Sequence, residues 1–453
     1  MKVAVVSLGC SKNLVDAEQM LGLLNLASFQ LVEDEEDATV IIVNTCCFVE
    51  SAKKESIDSI LEMAEYKKSG NCEILIVSGC MAQRYKDEVI ENIPEVDAVV
   101  GTGQYDKIAD IIAKFQHKNV TDKVICDDAT INYDALPRIR TTPEYTAYLK
   151  IAEGCDNHCT YCVIPSIRGK YTSRKIEDIV REAIELANDG VRELVLIAQD
   201  TTSYGKDIYN GEYKLPELLR ELCKINNIKW IRLHYCYPEL ITDELIETIA
   251  NNDKICNYLD IPIQHASDEI LKKMNRRATK AEVATLIEKL RKQIPDIVLR
   301  TTVIVGFPGE TDEQFGELLD FIIEHSFDRL GAFTYSQEEG TPAAEFDGQI
   351  DESAKEQRLE ILMVEQIGIS EEINSAKVGK TFEVLVEGYD AIIKQYYGRT
   401  YADSIEIDGK VFFTANVGDG VLDVPQDNVK LNPGDFVQVK ITESMEYDLF
   451  GTA

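Results

Sequence analysis

Apolar positions in the first 140 residues follow two alternating rhythms. KVAVVSLG, ATVIIVNT and EILIVSG are short unbroken apolar runs, the pattern of strands buried on both faces. Between them the apolar residues fall at helical spacing, as in Leu14, Met20, Leu21 and Leu24 of 12–26, then over about 51–66 and from about Arg84. A fourth short strand, DAVVG, precedes Gly103 and a further helix. That order predicts a parallel sheet with helices on its faces. Residues 127–143 lose the pattern, contain Pro137 and Pro143, and read as a linker. From YTAYLKIAEG the alternation resumes, with strands predicted at 194–198, 230–234, 258–262, 298–305 and 329–334. Helices are predicted between them at about 175–188, 215–225, 243–250, 268–274, 280–293 and 311–324. Six strands with crossovers predict a partial or full α/β barrel, and 352–374 reads as one long helix leading out. From Val378 the rhythm turns to period two in FEVLVEGY, YYGRTYA, KVFFTA, FVQVKITES and LFGTA, five strands of a small antiparallel barrel. The chain therefore divides at about 1–140, 141–373 and 374–453, an α/β architecture with a β-barrel tail.

Composition narrows the function. Lys and Arg number 47 against 80 Asp and Glu, a formal net charge of −33, and no segment is basic: 1–140 carries −10, 141–373 carries −17 and 374–453 carries −6. Such a surface disfavours nucleic-acid phosphates and anionic lipid, and favours a basic protein partner. No apolar run approaches the roughly 20 residues of a membrane span, and the sequence opens directly on a strand with no signal peptide. Twelve cysteines without an export signal suit the reducing cytoplasm, where clustered thiols serve metals more often than disulfides.

The cysteines are ordered. Cys10, Cys46 and Cys80 each follow a strand, in SLGC, VNTC and VSGC. In a parallel sheet these three positions share the carboxyl edge, where α/β folds bind ligands. One such thiol would be ordinary packing; three in one register point to a metal cluster with one iron left open. Cys47 is the alternative to Cys46, although strand alternation turns it to the opposite face. Cys155-x3-Cys159-x2-Cys162 follows the first strand of the barrel series, at the mouth where barrels build active sites. One loop with that spacing can cap three irons of a cubane, again leaving one open. Zinc would more usually show paired Cys-x2-Cys or nearby His, and His158 lies inside the loop. Cys47, Cys72, Cys126, Cys223, Cys236 and Cys256 share no spacing and read as packing residues.

The Cys155 loop resembles the radical S-adenosylmethionine (SAM) superfamily. Together with Cys10, Cys46, Cys80 and the β-rich tail, EGCDNHCTYCVIPSIRG resembles the methylthiotransferases of that superfamily, which end in a TRAM domain. SLGCSKNLVDAE, IAQDTTSYGKD, DIPIQHASDEILKKMNRR, TTVIVGFPGET, FTYSQEEGTPA and YYGRTYADSIEIDG are most similar to the branch that methylthiolates the β-carbon of an aspartate in a small-subunit ribosomal protein. The resemblance implies two [4Fe–4S] clusters, on Cys10/Cys46/Cys80 and on Cys155/Cys159/Cys162, with SAM as cosubstrate and an electron donor such as flavodoxin or ferredoxin. It implies SAM contacts at strand ends: Gln199 and Asp200, Gln264 and His265, and the turn Gly306-Phe307-Pro308-Gly309, which alone would read simply as a turn. Arg168 or Arg174 is expected to pair with the SAM carboxylate. Lys12, two residues beyond a ligand, is expected to meet the substrate aspartate. The tRNA adenosine methylthiotransferases are the rival branch; the acidic tail is expected to refuse tRNA and to dock a basic ribosomal protein.

Overall fold

The computed structural model describes residues 1–117, 122–127, 136–415 and 431–453. Its first unit runs β1 (Lys2–Ser7), α1 (Ser11–Leu26), β2 (Gln30–Leu31), β3 (Val40–Thr45), α2 (Glu50–Ser69), β4 (Ile74–Gly79), α3 (Cys80–Tyr85), α4 (Asp87–Asn92), β5 (Ala98–Val100), α5 (Ile108–Gln116) and β6 (Val124–Ile125). The sheet order is β2-β1-β3-β4-β5-β6, and every pairing is parallel. β3 and β4 are buried along their whole length, because helices cover both faces. The helix expected near Arg84 starts earlier, at Cys80, and breaks at Lys86, whose φ of 43° cannot continue a right-handed helix. Of the linker, 136–143 is described and is pinned to α1 through Ile139 N–H donating to the Glu18 carbonyl at 3.0 Å; 128–135 lies outside the described residues.

The second unit is a six-stranded parallel sheet ordered β14-β13-β12-β11-β10-β7, curved but open, so a partial barrel. It comprises β7 (Thr146–Lys150), β8 (Ala152–Glu153), α6 (Ile164–Arg168), β9 (Thr172–Ser173), α7 (Ile176–Asn188), β10 (Glu193–Ile197), α8 (Leu215–Cys223), β11 (Trp230–Leu233), α9 (Asp243–Ala250), β12 (Ile255–Asp260), α10 (Asp268–Lys273), α11 (Lys280–Gln293), β13 (Val298–Val305), α12 (Asp312–His325) and β14 (Arg329–Thr334). The largest apolar core lies between these strands and the outer helices. α13 (Glu352–Ser375) then leads to a closed barrel, β15 (Thr381–Asp390), β16 (Gln395–Arg399), β17 (Val411–Thr414), β18 (Phe436–Ser444) and β19 (Leu449–Thr452). One of its pairings, β17 with β19, is parallel; the other four are antiparallel.

The inner surface of the partial barrel is charged, which an apolar-pattern reading does not anticipate. Glu193 on β10 accepts from Arg232 on β11 at 2.9 Å and from Arg399 of the C-terminal barrel at 2.7 Å. Burial opposes its charge, yet Arg399 and Arg232 hold its carboxyl at about 2. The strand expected across YYGRTYA therefore stops at Arg399. Residues 400–408 leave the sheet and enter the partial barrel, where Asp403 pairs with Arg329 at 2.6 Å and Asp408 accepts from the Tyr258 hydroxyl at 2.8 Å. The C-terminal domain thus contributes the plug of the partial barrel. A buried charge left without its partner is expensive, so strand propensity gives way to this pairing.

Candidate active site

The parallel register sets the first cysteine triad. Ser7 pairs with Asn44 and Thr45 with Gly79, so Cys10, Cys46 and Cys80 leave one edge of the sheet together. The glycine before Cys80 is required: Gly79 sits at φ 87°, and a Cβ there would lie 2.4 Å from Asn44 Oδ1. Asn13 staples the strand ends, its Nδ2 donating to the carbonyls of Leu8 at 3.0 Å and Thr45 at 2.8 Å. Ser56 Oγ bonds both the N–H and the carbonyl of Cys46. Cys47 is fully buried in the apolar core, in the same cluster as Ile41, Val43 and Cys80.

The second triad sits on one short loop, Cys155 to Cys162, braced by its own bonds and by its neighbours. Asn157 Nδ2 lies 3.5 Å from Cys155 Sγ, the Ile164 N–H lies 3.5 Å from Cys162 Sγ, and the Tyr237 hydroxyl lies 3.6 Å from Cys159 Sγ. The six thiols line one cavity of about 480 Å³, with Lys12, Arg168, Gln199, Tyr235, Gln264 and Arg276 among its other walls. Exposed Phe48 and Phe333 also line it and mark its opening. Burial pushes the Cys155 thiol up to about 11 and Cys162 to about 12, and raises Cys46 and Cys80 as well. These groups stay protonated unless a metal takes the place of the proton. Among the described residues no three His, Cys, Asp or Glu side chains converge on a single ion. A cubane presents its irons separately and takes a wider thiolate triangle, so soft thiols facing one cavity fit iron–sulfur clusters better than a lone cation.

Arg168 joins the two halves. From α6 its guanidinium reaches Asp16 of α1 at 2.6 Å, Asn13 Oδ1, and Cys80 Sγ at 3.4 Å. Lys150 pairs with the same Asp16 and, at 2.9 Å, with Glu153. Burial works against Glu153, but Lys150 and Arg168 hold its carboxyl well below the usual range. Arg84 of α3 ties the two units again, donating to Glu338 at 2.8 Å and to the Cys47 carbonyl at 3.0 Å.

The other expected contacts sort by position. Gln199 and Gln264 line the cavity, and Gln199 donates to Glu153. Asp200 is buried beside it, accepting from Asn157 at 2.9 Å and from Ser203 Oγ at 2.7 Å, so it braces the loop of the second triad. His265 is buried, 3.3 Å from Glu310, and Glu310 accepts from the Gly306 N–H at 2.9 Å. Gly306, Phe307, Pro308 and Gly309 are not among the residues lining the cavity; Phe307 packs behind it against Tyr335. Arg174 turns away to the Lys150 carbonyl and Glu182. A separate cleft of about 610 Å³ near α7 has no cysteine, and its Arg138 and Arg174 are paired with Glu18 and Glu182. Sequence reasoning missed Tyr235, Tyr237, Arg276 and Asn13. The only signal for Tyr235 and Tyr237 was the HYCYP segment at the end of a barrel strand.

Comparison with known proteins agrees with this architecture. Residues 149–322 match the radical SAM superfamily, residues 2–101 a family described as uncharacterized protein family UPF0004, and residues 378–453 the TRAM domain. The ribosomal protein uS12 methylthiotransferase RimO of Clostridioides difficile (strain 630) is 54% identical over 452 residues, covering 100% of this chain and 98% of its own. The protein of the same name from Acetivibrio thermocellus is 53% identical over 456 residues, covering 99% and 98%. Among solved structures, the radical SAM methyltransferase TsrM of Kitasatospora setae shares the fold, with a TM-score of 0.56 at 14% identity over 76% of each chain.

Proposed function

The chain belongs to the RimO family of radical SAM methylthiotransferases, and we propose that the cavity lined by the six cysteines of its two triads carries out methylthiolation of an aspartate β-carbon in ribosomal protein uS12 with two [4Fe–4S] clusters. The observation that carries this reading is that both cysteine triads line the same 480 Å³ cavity. Cys155, Cys159 and Cys162 would hold one cluster, and Cys10, Cys46 and Cys80 the other. When bound, the clusters and SAM supply reductive SAM cleavage and the sulfur and methyl groups that are transferred.

The chain's own residues do the rest. Gln199 and Gln264 offer amides to SAM from the barrel side. Asp200, His265 and the Gly306–Gly309 turn support those strand ends from behind. Arg168 orients Cys80 by hydrogen bonding its sulfur, and so ties the position of one triad to the other. Lys12, only 7% exposed, lines the cavity, and its ammonium would meet the substrate carboxylate there. Ile164, Ile304 and Tyr335 exclude water from the reacting carbon.

A protein substrate is favoured over tRNA by charge. The C-terminal barrel is acidic, and Arg399, one of its few cations, is 1% exposed and spent on Glu193 and Glu387. The cytoplasm, with a flavodoxin or ferredoxin as donor, is the setting this implies; all twelve cysteines are unbridged, and no described helix is long and apolar enough to cross a membrane. The test is to incubate reconstituted full-length enzyme with SAM, reductant and either uS12 or unmodified tRNA, and to analyse both by mass spectrometry. One methylthio group on a uS12 aspartate is expected. Methylthioadenosine in tRNA, with uS12 unmodified, would overturn the reading.

A further inference from the structure

Tyr235 lies two residues beyond the end of β11, and it is held in a backbone conformation that a tyrosine rarely adopts, with φ 60°. Its ring is a platform: the Lys12 ammonium lies 3.1 Å from the ring centroid, and both residues line the cavity. A lysine stem has four freely rotating carbons, so an ammonium meant to meet one carboxylate needs something to rest on. An aromatic face supplies that.

Three elements pin the platform. The Tyr235 N–H donates to Asp260 at 3.0 Å, and its carbonyl accepts from the Thr201 N–H at 3.0 Å. The ring packs on a small apolar cluster of Val15, Tyr148, Val195, Ile197 and Ile405. Ile405 comes from the C-terminal barrel, on the plug loop 400–408. Next to it, Ser404 Oγ lies 2.9 Å from His234 Nε2, and the His234 ring stands edge-on to Tyr235 with centroids 5.8 Å apart. Buried His234 is pushed down to about 3 and so stays neutral, which leaves the Ser404 contact an ordinary hydrogen bond.

We propose that the C-terminal domain positions the substrate from inside the barrel: Ile405 and Ser404 fix Tyr235, and Tyr235 fixes the Lys12 ammonium where the substrate carboxylate arrives. The domain is then more than an outer docking surface; its plug loop is part of the machinery that selects an aspartate. Tyr235, Ser404 and Ile405 are positioning residues, acting through Lys12. This rests on the reading of Lys12 given above.

The test crosses enzyme variants with two substrates, uS12 and uS12 with the target Asp changed to Asn, using reconstituted full-length protein and measuring affinity for each. The wild type should prefer the Asp form by about ten- to a hundred-fold, the scale of one charge-assisted hydrogen bond. Lys12→Met should abolish the preference. Tyr235→Leu and Ile405→Ala should remove most of it, and Tyr235→Phe, which keeps the ring face, should preserve it. Iron content reports whether each variant is intact; should Ile405→Ala fail to fold, Ile405→Val carries the same test with a smaller expected loss. If Lys12→Met leaves the preference unchanged, the reading of Lys12 fails. If Lys12→Met abolishes it while Tyr235→Leu and the intact Ile405 variant stay within about twofold of wild type, the Lys12 reading stands and the positioning role is overturned.

Discussion

The two triads facing the cavity are built in opposite ways. Cys155, Cys159 and Cys162 share one short loop of contiguous sequence, closed locally by the Cys162 N–H to the Cys159 carbonyl at 3.0 Å and the Cys155 N–H to the nearby Gly169 carbonyl at 3.2 Å. Cys10, Cys46 and Cys80 come from three strands and are neighbours only because β1, β3 and β4 keep register. A local triad depends on a few residues of sequence. A dispersed one depends on the sheet and on its staple, Asn13, and anything that shifts a strand end moves a ligand.

The sharpest way to test the contrast is to delete each triad. Changing Cys155, Cys159 and Cys162 to Ala should leave about half of the eight irons expected for two four-iron cubanes and abolish SAM cleavage. Changing Cys10, Cys46 and Cys80 should also halve the iron, but leave reductive cleavage of SAM to 5′-deoxyadenosine in place; unchanged iron in this second variant would sink the three-strand argument. A smaller effect is expected from Gly79→Ala. The new Cβ meets Asn44 Oδ1 at 2.4 Å in a left-handed backbone, so Cys80 must shift. The variant should lose about 1–3 kcal/mol of stability and the iron of the dispersed triad alone, read by thermal melting and iron analysis. Loss of iron from both triads would show that they are not independently built. The smallest effect belongs to Cys47→Ala, a fully buried neighbour of Cys46 that does not line the cavity. Both clusters should survive, with about 1 kcal/mol of stability lost; a missing cluster would move the ligand from Cys46 to Cys47.

The same contrast explains what could be read in advance. Both triads were legible because thiols are rare and their positions follow strand alternation or a fixed spacing. The six barrel strands and most helices were legible because each is periodic. Arg168 was expected at SAM; it lines the cavity, and it also reaches Asp16, Asn13 and Cys80, residues of another unit more than 80 positions away. No local pattern encodes such a partner. Tyr235 was invisible for the same reason, since its role lies in Lys12 above it and Ile405 behind it. Residues 400–402 were misread as strand because Thr, Tyr and Ala beside YYGR carry β-type composition, while the charges that draw the loop inward sit on other strands.

The plug also has a consequence in time. During synthesis the strands that carry Glu193 and Arg329 are made before Arg399 and the plug loop that follows it, which supply their partners, Arg399 and Asp403. Until that loop emerges, the lumen of the nascent barrel holds charges whose proper neighbours do not yet exist, and water must keep it open. The catalytic barrel is therefore finished by a segment from the next domain, and its last folding step waits on translation of that segment rather than on its own strands.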